Sequence, residues 1–355
     1  MKNCGFLDSQ LITIKSGNWT KIKDIEVRVL TADHCNPSIC GVNIPCHQAN
    51  SKLSAIDSIA LFRADGQTIL NANDSLAVSS IPRALKEIGE IDLLLGHFGG
   101  AGPYPQCFDD LLNLEKISES KKLANQFVQR LAFACEITKS RYVFPYAGQY
   151  LLAGRLSPLN EFRSVLSLEE TINVLSNSTS SIAISLAPFG EFDLCTEKEN
   201  FKYIEPTKLI RQNYLEKISF VKFPYERKEE NWPDSTNEML DAAQNVIRTF
   251  NSNPYLNLQL ADSSYILKIS LESSVTINFK GSQASAVIGE NPSSENVTKI
   301  STDHRLWRRV ISRRPNYKGF TTFHFNQAEI GSHLSWHRIG EYRPEVRFLD
   351  FLHHK

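Results

Sequence analysis

Ile59-Ala60-Leu61-Phe62-Arg63-Ala64-Asp65-Gly66-Gln67-Thr68-Ile69-Leu70-Asn71-Ala72-Asn73-Asp74-Ser75 is the stretch that decides how this chain is read. Two apolar, strand-like runs flank Asp65-Gly66, a tight-turn pair, so the segment is predicted to form a β-hairpin. Its second strand would deliver Asp74 to a strand end, where a carboxylate can reach a metal or a substrate. The plainer reading is a turn, because Asn, Asp and Ser after a strand commonly bond their own backbone.

Two later segments extend the pattern. Ile91-Asp92-Leu93-Leu94-Leu95 reads as a buried strand and runs into Gly96-His97-Phe98-Gly99-Gly100-Ala101-Gly102-Pro103-Tyr104-Pro105. A helix is predicted from about residue 115 to 138, with Leu123, Phe127, Leu131 and Ala134 as its apolar stripe. It leads to Arg141-Tyr142-Val143-Phe144-Pro145-Tyr146-Ala147-Gly148. In these motifs and their order the chain resembles the catalytic region of the CMP-N-acetylneuraminate hydroxylases, a branch of the metallo-β-lactamase superfamily. That branch carries an ILN-x-x-D turn, a Gly-rich strand end and a PFAG-like strand end. Gly5-Phe6, Gly17-Asn18-Trp19, residues 25–30 and Phe325-Asn326 add to the likeness.

The resemblance implies an α/β fold: residues 1–155 as the latter part of an αββα metallo-β-lactamase sandwich, and residues 156–355 as an α+β extension. It implies that Asp74 matches the carboxylate that bridges two metals in that superfamily, with zinc or iron as cofactor. It also implies a substrate pocket lined by Gly99, Gly100, Tyr104 and Tyr146. The superfamily's main metal motif, His-x-His-x-Asp-His, does not occur in the sequence. Where the hydroxylases place a His four residues before the match to Asp57, this chain has Leu53. Their Rieske Cys-x-His and Cys-x-x-His pairs are missing too, so a hydroxylation would need electrons from elsewhere. Two expectations follow. A separate chain supplies the first half with its histidines, or the protein is a family member that has lost the dinuclear site. A half-domain would leave a bare apolar sheet edge and face, which favours a partner.

His97 is a candidate ligand or acid–base group at a strand end, although the hydroxylases have Asp at that place; a hydrogen-bonded structural His is the plainer reading. His34, Cys35, Cys40, Cys46 and His47 form a second metal candidate, since three thiolates and an imidazole complete a tetrahedral zinc site. Otherwise they are free thiols in a loop. His333 and His337, four apart, would share a helix face as a metal pair, or belong to a packed aromatic tail. Arg305, Arg308, Arg309, Arg313 and Arg314 could meet a phosphate or bridge surface acids.

The 355 residues suggest two domains or one large one. A formal net charge of zero argues against a polyanion-binding surface, so nucleic acid is not an expected partner. The sequence shows neither a membrane-length apolar run nor a secretory leader, and its seven cysteines then fit a reducing cytoplasm. Leu11 to Lys15 is predicted as a strand. Ser167-Leu168-Glu169-Glu170 has the spacing of a capping box. Residues 182–186, 264–271 and 275–279 are predicted strands, and 237–250 a helix. Residues 281–302, rich in Ser, Asn and Gly, read as a flexible linker. The expected function is a metal-dependent hydrolase or hydroxylase-like enzyme acting on a nucleotide-linked or phosphorylated sugar, not competent alone. The alternative is a partner-dependent or inactive scaffold subunit.

Overall fold

The computed structural model describes residues 7, 9, 11–15, 17–31, 58–73, 85, 89–227, 236–252, 262–312, 325–341, 348–349 and 352. In chain order they form β1 (Trp19–Ile22), β2 (Ile25–Thr31), β3 (Ser58–Ala64), β4 (Gln67–Asn71), β5 (Leu93–His97), α1 (Asn113–Thr138), β6 (Tyr142–Tyr146), α2 (Leu168–Ser178) and β7 (Ile182–Ala183). The short strands β8 (Phe192–Asp193) and β9 (Lys198–Glu199) follow, then α3 (Lys208–Ser219) and α4 (Thr236–Asn251). β10 (Ser263–Lys268), β11 (Ser274–Lys280), β12 (Gln283–Ile288), β13 (Val297–Ser301), α5 (His304–Ile311), α6 (Phe325–Ile330) and β14 (Ser335–Ile339), with a 3-10 helix (Gly154–Phe162) between β6 and α2, complete the described set. The fold is mixed α/β. Among the described residues, no helix is long and apolar enough to cross a membrane.

The predicted hairpin is present. Asp65 and Gly66 both take positive φ, 51° and 76°, the handedness that lets a two-residue turn match the twist of its strands. Leu61 then faces Leu70 across the β3–β4 ladder. The first sheet runs β1 to β7 in sequence order, antiparallel through β4 and parallel from β4 to β7. One face packs Ile59, Leu61, Leu70, Leu94 and Val143 against Val128, Leu131 and Cys135 of α1 and Leu168 and Leu175 of α2. The other face buries Leu93, Tyr142 and Ile184 beside Phe144 and Phe192. β5 and β6 are thus covered on both sides, which is why they read as continuous apolar runs rather than alternating ones.

The buried face of α1 is Ser120, Ala124, Val128, Leu131, Ala132, Ala134, Cys135 and Thr138; the expected Leu131 and Ala134 lie on it, and Leu123 and Phe127 sit at its half-buried edge. The capping box of α2 forms as predicted: the Ser167 hydroxyl accepts from the Glu170 N–H at 3.1 Å, and the Glu170 carboxylate accepts from the Ser167 N–H at 2.8 Å. Leu11 to Lys15, expected as a strand, has no regular structure.

The second sheet has the order β12-β11-β10-β13-β14, with β10 and β13 parallel. α4 and α5 cover it, and Trp307, fully buried, donates its indole N–H to the Lys268 carbonyl at 2.8 Å. The linker expected at 281–302 is corrected: it holds β12, an edge strand, and β13, an interior one. Polar residues on the open side of an edge strand lower its apparent hydrophobicity without breaking its ladder. β7 joins the first sheet and α2 packs on its face, while Cys107 and Phe108 pack into the second core.

Residues 107–110 and β14 form a seam between the two sheets. Phe108 bridges to Trp336, whose N–H donates to the Cys107 carbonyl at 2.9 Å; the Asp109 N–H donates to the Trp336 carbonyl at 2.8 Å. The Trp336 ring stacks on Phe108 at 5.7 Å. Arg338 clamps the Asp110 carboxylate with its Nε and Nη2, at 2.9 and 2.8 Å, and lies 4.8 Å over the Phe108 ring.

Candidate functional site

β4, β5 and β6 lie side by side and parallel, so their carboxyl ends open on one edge of the sheet. In open α/β sheets this edge is where ligands bind. Asn71, Asn73, His97 and Tyr146 collect there. His97 is opposite Tyr146 in register. The His97 Nδ1 lies 3.2 Å from the Asn73 carbonyl oxygen. A carbonyl only accepts, so Nδ1 is the donor in this contact. The Tyr146 hydroxyl donates to the Asn71 side-chain oxygen at 2.8 Å, and the Asn73 N–H donates to the same atom at 2.9 Å. Asn73 holds a left-handed turn, φ 51°, that Asn tolerates better than most residues.

His97 and Tyr146 therefore stand at adjacent strand ends. Asp74, Leu53 and the loop carrying His34, Cys35, Cys40, Cys46 and His47 lie outside the described residues. Gly99 and Gly100 serve packing: a Cβ on Gly99 would meet the Gly148 carbonyl oxygen at 2.7 Å, and one on Gly100 the Phe127 ring at 2.4 Å. Tyr104 has turned to the seam. Its hydroxyl donates to Glu119 at 3.0 Å and its ring packs edge-on to Phe108, with Arg338 above it.

The described part of the strand-end cluster offers one imidazole and no carboxylate, fewer than the three protein ligands of a typical catalytic metal. A second group, Asp109, Asp110 and His337, has ligand atoms within 4.8 Å of one another. Its groups are already engaged: His337 Nδ1 lies 2.9 Å from Asp109, the Ser335 hydroxyl bonds Asp109 at 3.3 Å, and Asp110 holds Arg338. It reads as an ion-pair seam. The helical His333/His337 pair is corrected as well. His337 is on a strand pairing with β13, and His333 turns instead to Tyr225.

The loops leaving β5 and β6 run on into a cavity of about 320 Å³, walled by both halves of the molecule. Gln106, Cys107, Lys116, Arg155, Asp303 and His333 contribute its chemistry. Gln106 is 1% exposed. Its amide nitrogen donates to the Gly102 carbonyl and to the Ser332 hydroxyl at 3.1 Å. Its amide oxygen is buried with no hydrogen-bond partner among the described residues, at a cost of roughly 1–3 kcal/mol. The Cys107 thiol is pushed up to about 11 by burial, so it stays protonated and is no nucleophile at neutral pH. Asp303 is held by the Arg305 guanidinium at 2.6 and 2.9 Å.

His333 sits against Phe223 and Tyr225, with Nδ1 2.9 Å from the Tyr225 hydroxyl. Burial, reinforced by the Arg155 charge, pushes its pKa down from 6.5 to about 4. The unfolded chain therefore binds a proton at this residue between those values that the folded one does not, and stability present above 6.5 is lost as pH falls toward 4. Discounted for partial exposure, the loss is on the order of 2 kcal/mol. Urea denaturation at pH 7 and pH 5 checks it: His333→Gln should flatten the acid slope relative to wild type, and an unchanged slope refutes it.

No family model and no curated protein matches the sequence. The solved structures that are similar over part of it include two of one enzyme. A point mutant of the CmlA beta-hydroxylase is 12% identical, with a TM-score of 0.30, over 51% of this chain and 33% of that one. CmlA, a diiron beta-hydroxylase from Streptomyces venezuelae, is 10% identical, with a TM-score of 0.27, over 48% of this chain and 32% of that one. This chain thus spans about a third of the length of each, and likeness at these scores carries no argument about chemistry.

The cavity residues were missed in the sequence because no local pattern joins them. They come from four separated segments, and only His333 had drawn notice, for a different reason.

Proposed function

We propose that the carboxyl ends of β4, β5 and β6 form the reaction centre of a metal-dependent hydrolase or hydroxylase-like enzyme of the metallo-β-lactamase type, with Asp74 and His97 among its ligands. The observation that carries this reading is the meeting of His97 and Tyr146 at parallel strand ends, with the His97 ring fixed by its Nδ1 on the Asn73 carbonyl. Zinc or iron is the proposed metal, and a nucleotide-linked or phosphorylated sugar the proposed substrate class; both rest on the motif resemblance. Tyr146, anchored on Asn71, would orient a substrate hydroxyl or carbonyl by hydrogen bonding. The described residues alone do not complete a metal site. The proposal therefore includes further ligands, from a separate chain carrying the superfamily's first half.

Incubation with ferrous iron or zinc, removal of excess and elemental analysis test this reading. Bound metal is expected in the wild type purified together with the chain that supplies the first half, and should fall to background in Asp74→Ala and His97→Ala, while Cys40→Ala keeps it. Metal that survives the first two changes but leaves with Cys40→Ala would move the ion to the cysteine loop and overturn the assignment. Background metal in the wild type would favour the scaffold reading, which the single imidazole of the described cluster also suits.

A further inference from the structure

Asn71 closes β4 opposite Leu95, and His97 and Tyr146 form the next paired row toward the carboxyl ends. Residues two apart on a strand point to one side, so Asn71, His97 and Tyr146 share a face of the sheet. Tyr146 is two strands from Asn71, roughly 10 Å across the ladder. Its side chain reaches over β5 to place the hydroxyl on the Asn71 side-chain oxygen at 2.8 Å, a bond between residues 75 apart in the chain.

The same oxygen accepts from the Asn73 N–H at 2.9 Å. An N–H only donates, so the atom facing it must be the oxygen, and the Asn71 amide cannot be turned over. That second bond is an Asx turn, which suffices by itself to end a strand. The bond from Tyr146 is additional to the turn. The turn then carries the link on. Asn73 holds φ 51°, and its carbonyl meets His97 Nδ1 at 3.2 Å. Where that carbonyl points depends on the turn that Asn71 closes. At the long end of the hydrogen-bond range, this contact has little of its own to hold the ring if the turn shifts. One atom of Asn71 thus stands behind both aromatic side chains of the cluster.

We propose that Asn71 is a positioning residue of the strand-end centre, setting the Tyr146 phenol directly and the His97 imidazole through the Asn73 carbonyl. Outer hydrogen bonds of this kind lock the rotamers of groups that do chemistry. That it serves a metal centre rests on the reading above; that it orders the two rings does not.

Magnetic resonance of the full chain without metal, labelled at histidine Cε1 and tyrosine Cζ, tests the ordering, with the two signals assigned by His97→Gln and Tyr146→Phe. Asn71→Ala is expected to move both signals. Asn71→Asp keeps an oxygen for both donors and should restore the His97 signal. Asn71→Ser, whose hydroxyl can still close the turn but is one bond shorter, should move the Tyr146 signal and spare His97. An unmoved His97 signal in Asn71→Ala, or one that Asn71→Asp fails to restore, overturns the proposal. In the protein purified with the chain that supplies the first half, Asn71→Ala should weaken metal binding about tenfold and Asn71→Asp recover it. Undiminished metal binding in Asn71→Ala would also overturn the positioning role. Background metal in the wild type would instead refute the metal-centre reading and leave the ring signals to decide whether Asn71 orders the cluster.

Discussion

Trp336→Ala is expected to lower the unfolding free energy by about 3–5 kcal/mol. The ring is fully buried, stacked on Phe108 and edge-on to Phe325, so its removal opens a cavity at the junction of two cores. Neighbouring groups are poorly placed to collapse into that space. The Phe108 backbone is held by the ladder bonds at Cys107 and Asp109, and Arg338 is tied to Asp110. Trp336→Phe keeps an aromatic surface on Phe108 and should lose well under half as much. Urea denaturation followed by circular dichroism measures both. A loss below about 1 kcal/mol for the alanine variant would mean that the seam contributes little and that the two sheets are stabilised separately.

Gly99→Ala is the second large effect, expected at about 2–3 kcal/mol. The new methyl would lie 2.7 Å from the Gly148 carbonyl oxygen and 3.1 Å from its Cα. Both are backbone atoms, so relief requires the loops after β5 and β6 to part rather than a side chain to rotate. Gly148 has no room to yield, since a Cβ there would already meet the Phe98 ring at 2.6 Å. Gly102→Ala is the matched control. Nothing lies within 4 Å of its added methyl, and its φ is not in the left-handed region. It should change stability by less than about 0.5 kcal/mol. Equal losses in the two variants would show that the close approach of the two loops is not what fixes glycine at residue 99. Because His97 and Tyr146 precede these loops, Gly99→Ala should also disturb the strand-end cluster.

What could be read from the sequence was short-range. Asp65-Gly66 fixes its hairpin through backbone handedness, and Ser167 with Glu170 closes a cap within four residues; both need no distant partner. Strand β12 was hidden because its register is imposed by β11, not by its own Ser- and Ala-rich composition. His333 to His337 looked faintly helical in isolation, yet β13 on one side and Cys107 on the other draw Trp336 into a ladder. The strand ends at His97 and Tyr146 were legible because each closes an apolar run. The cavity was not, because its lining comes from separated segments that only three-dimensional packing brings together.

Asp110 and Arg338 are 228 residues apart, and Phe108 and Trp336 equally far. At ribosomal speeds of about 5–20 residues per second, roughly ten to fifty seconds pass between the emergence of the two sides. Throughout that interval a nascent chain carries the Phe108 ring without its Trp336 and Arg338 cover, apolar surface of the kind a holdase chaperone shields.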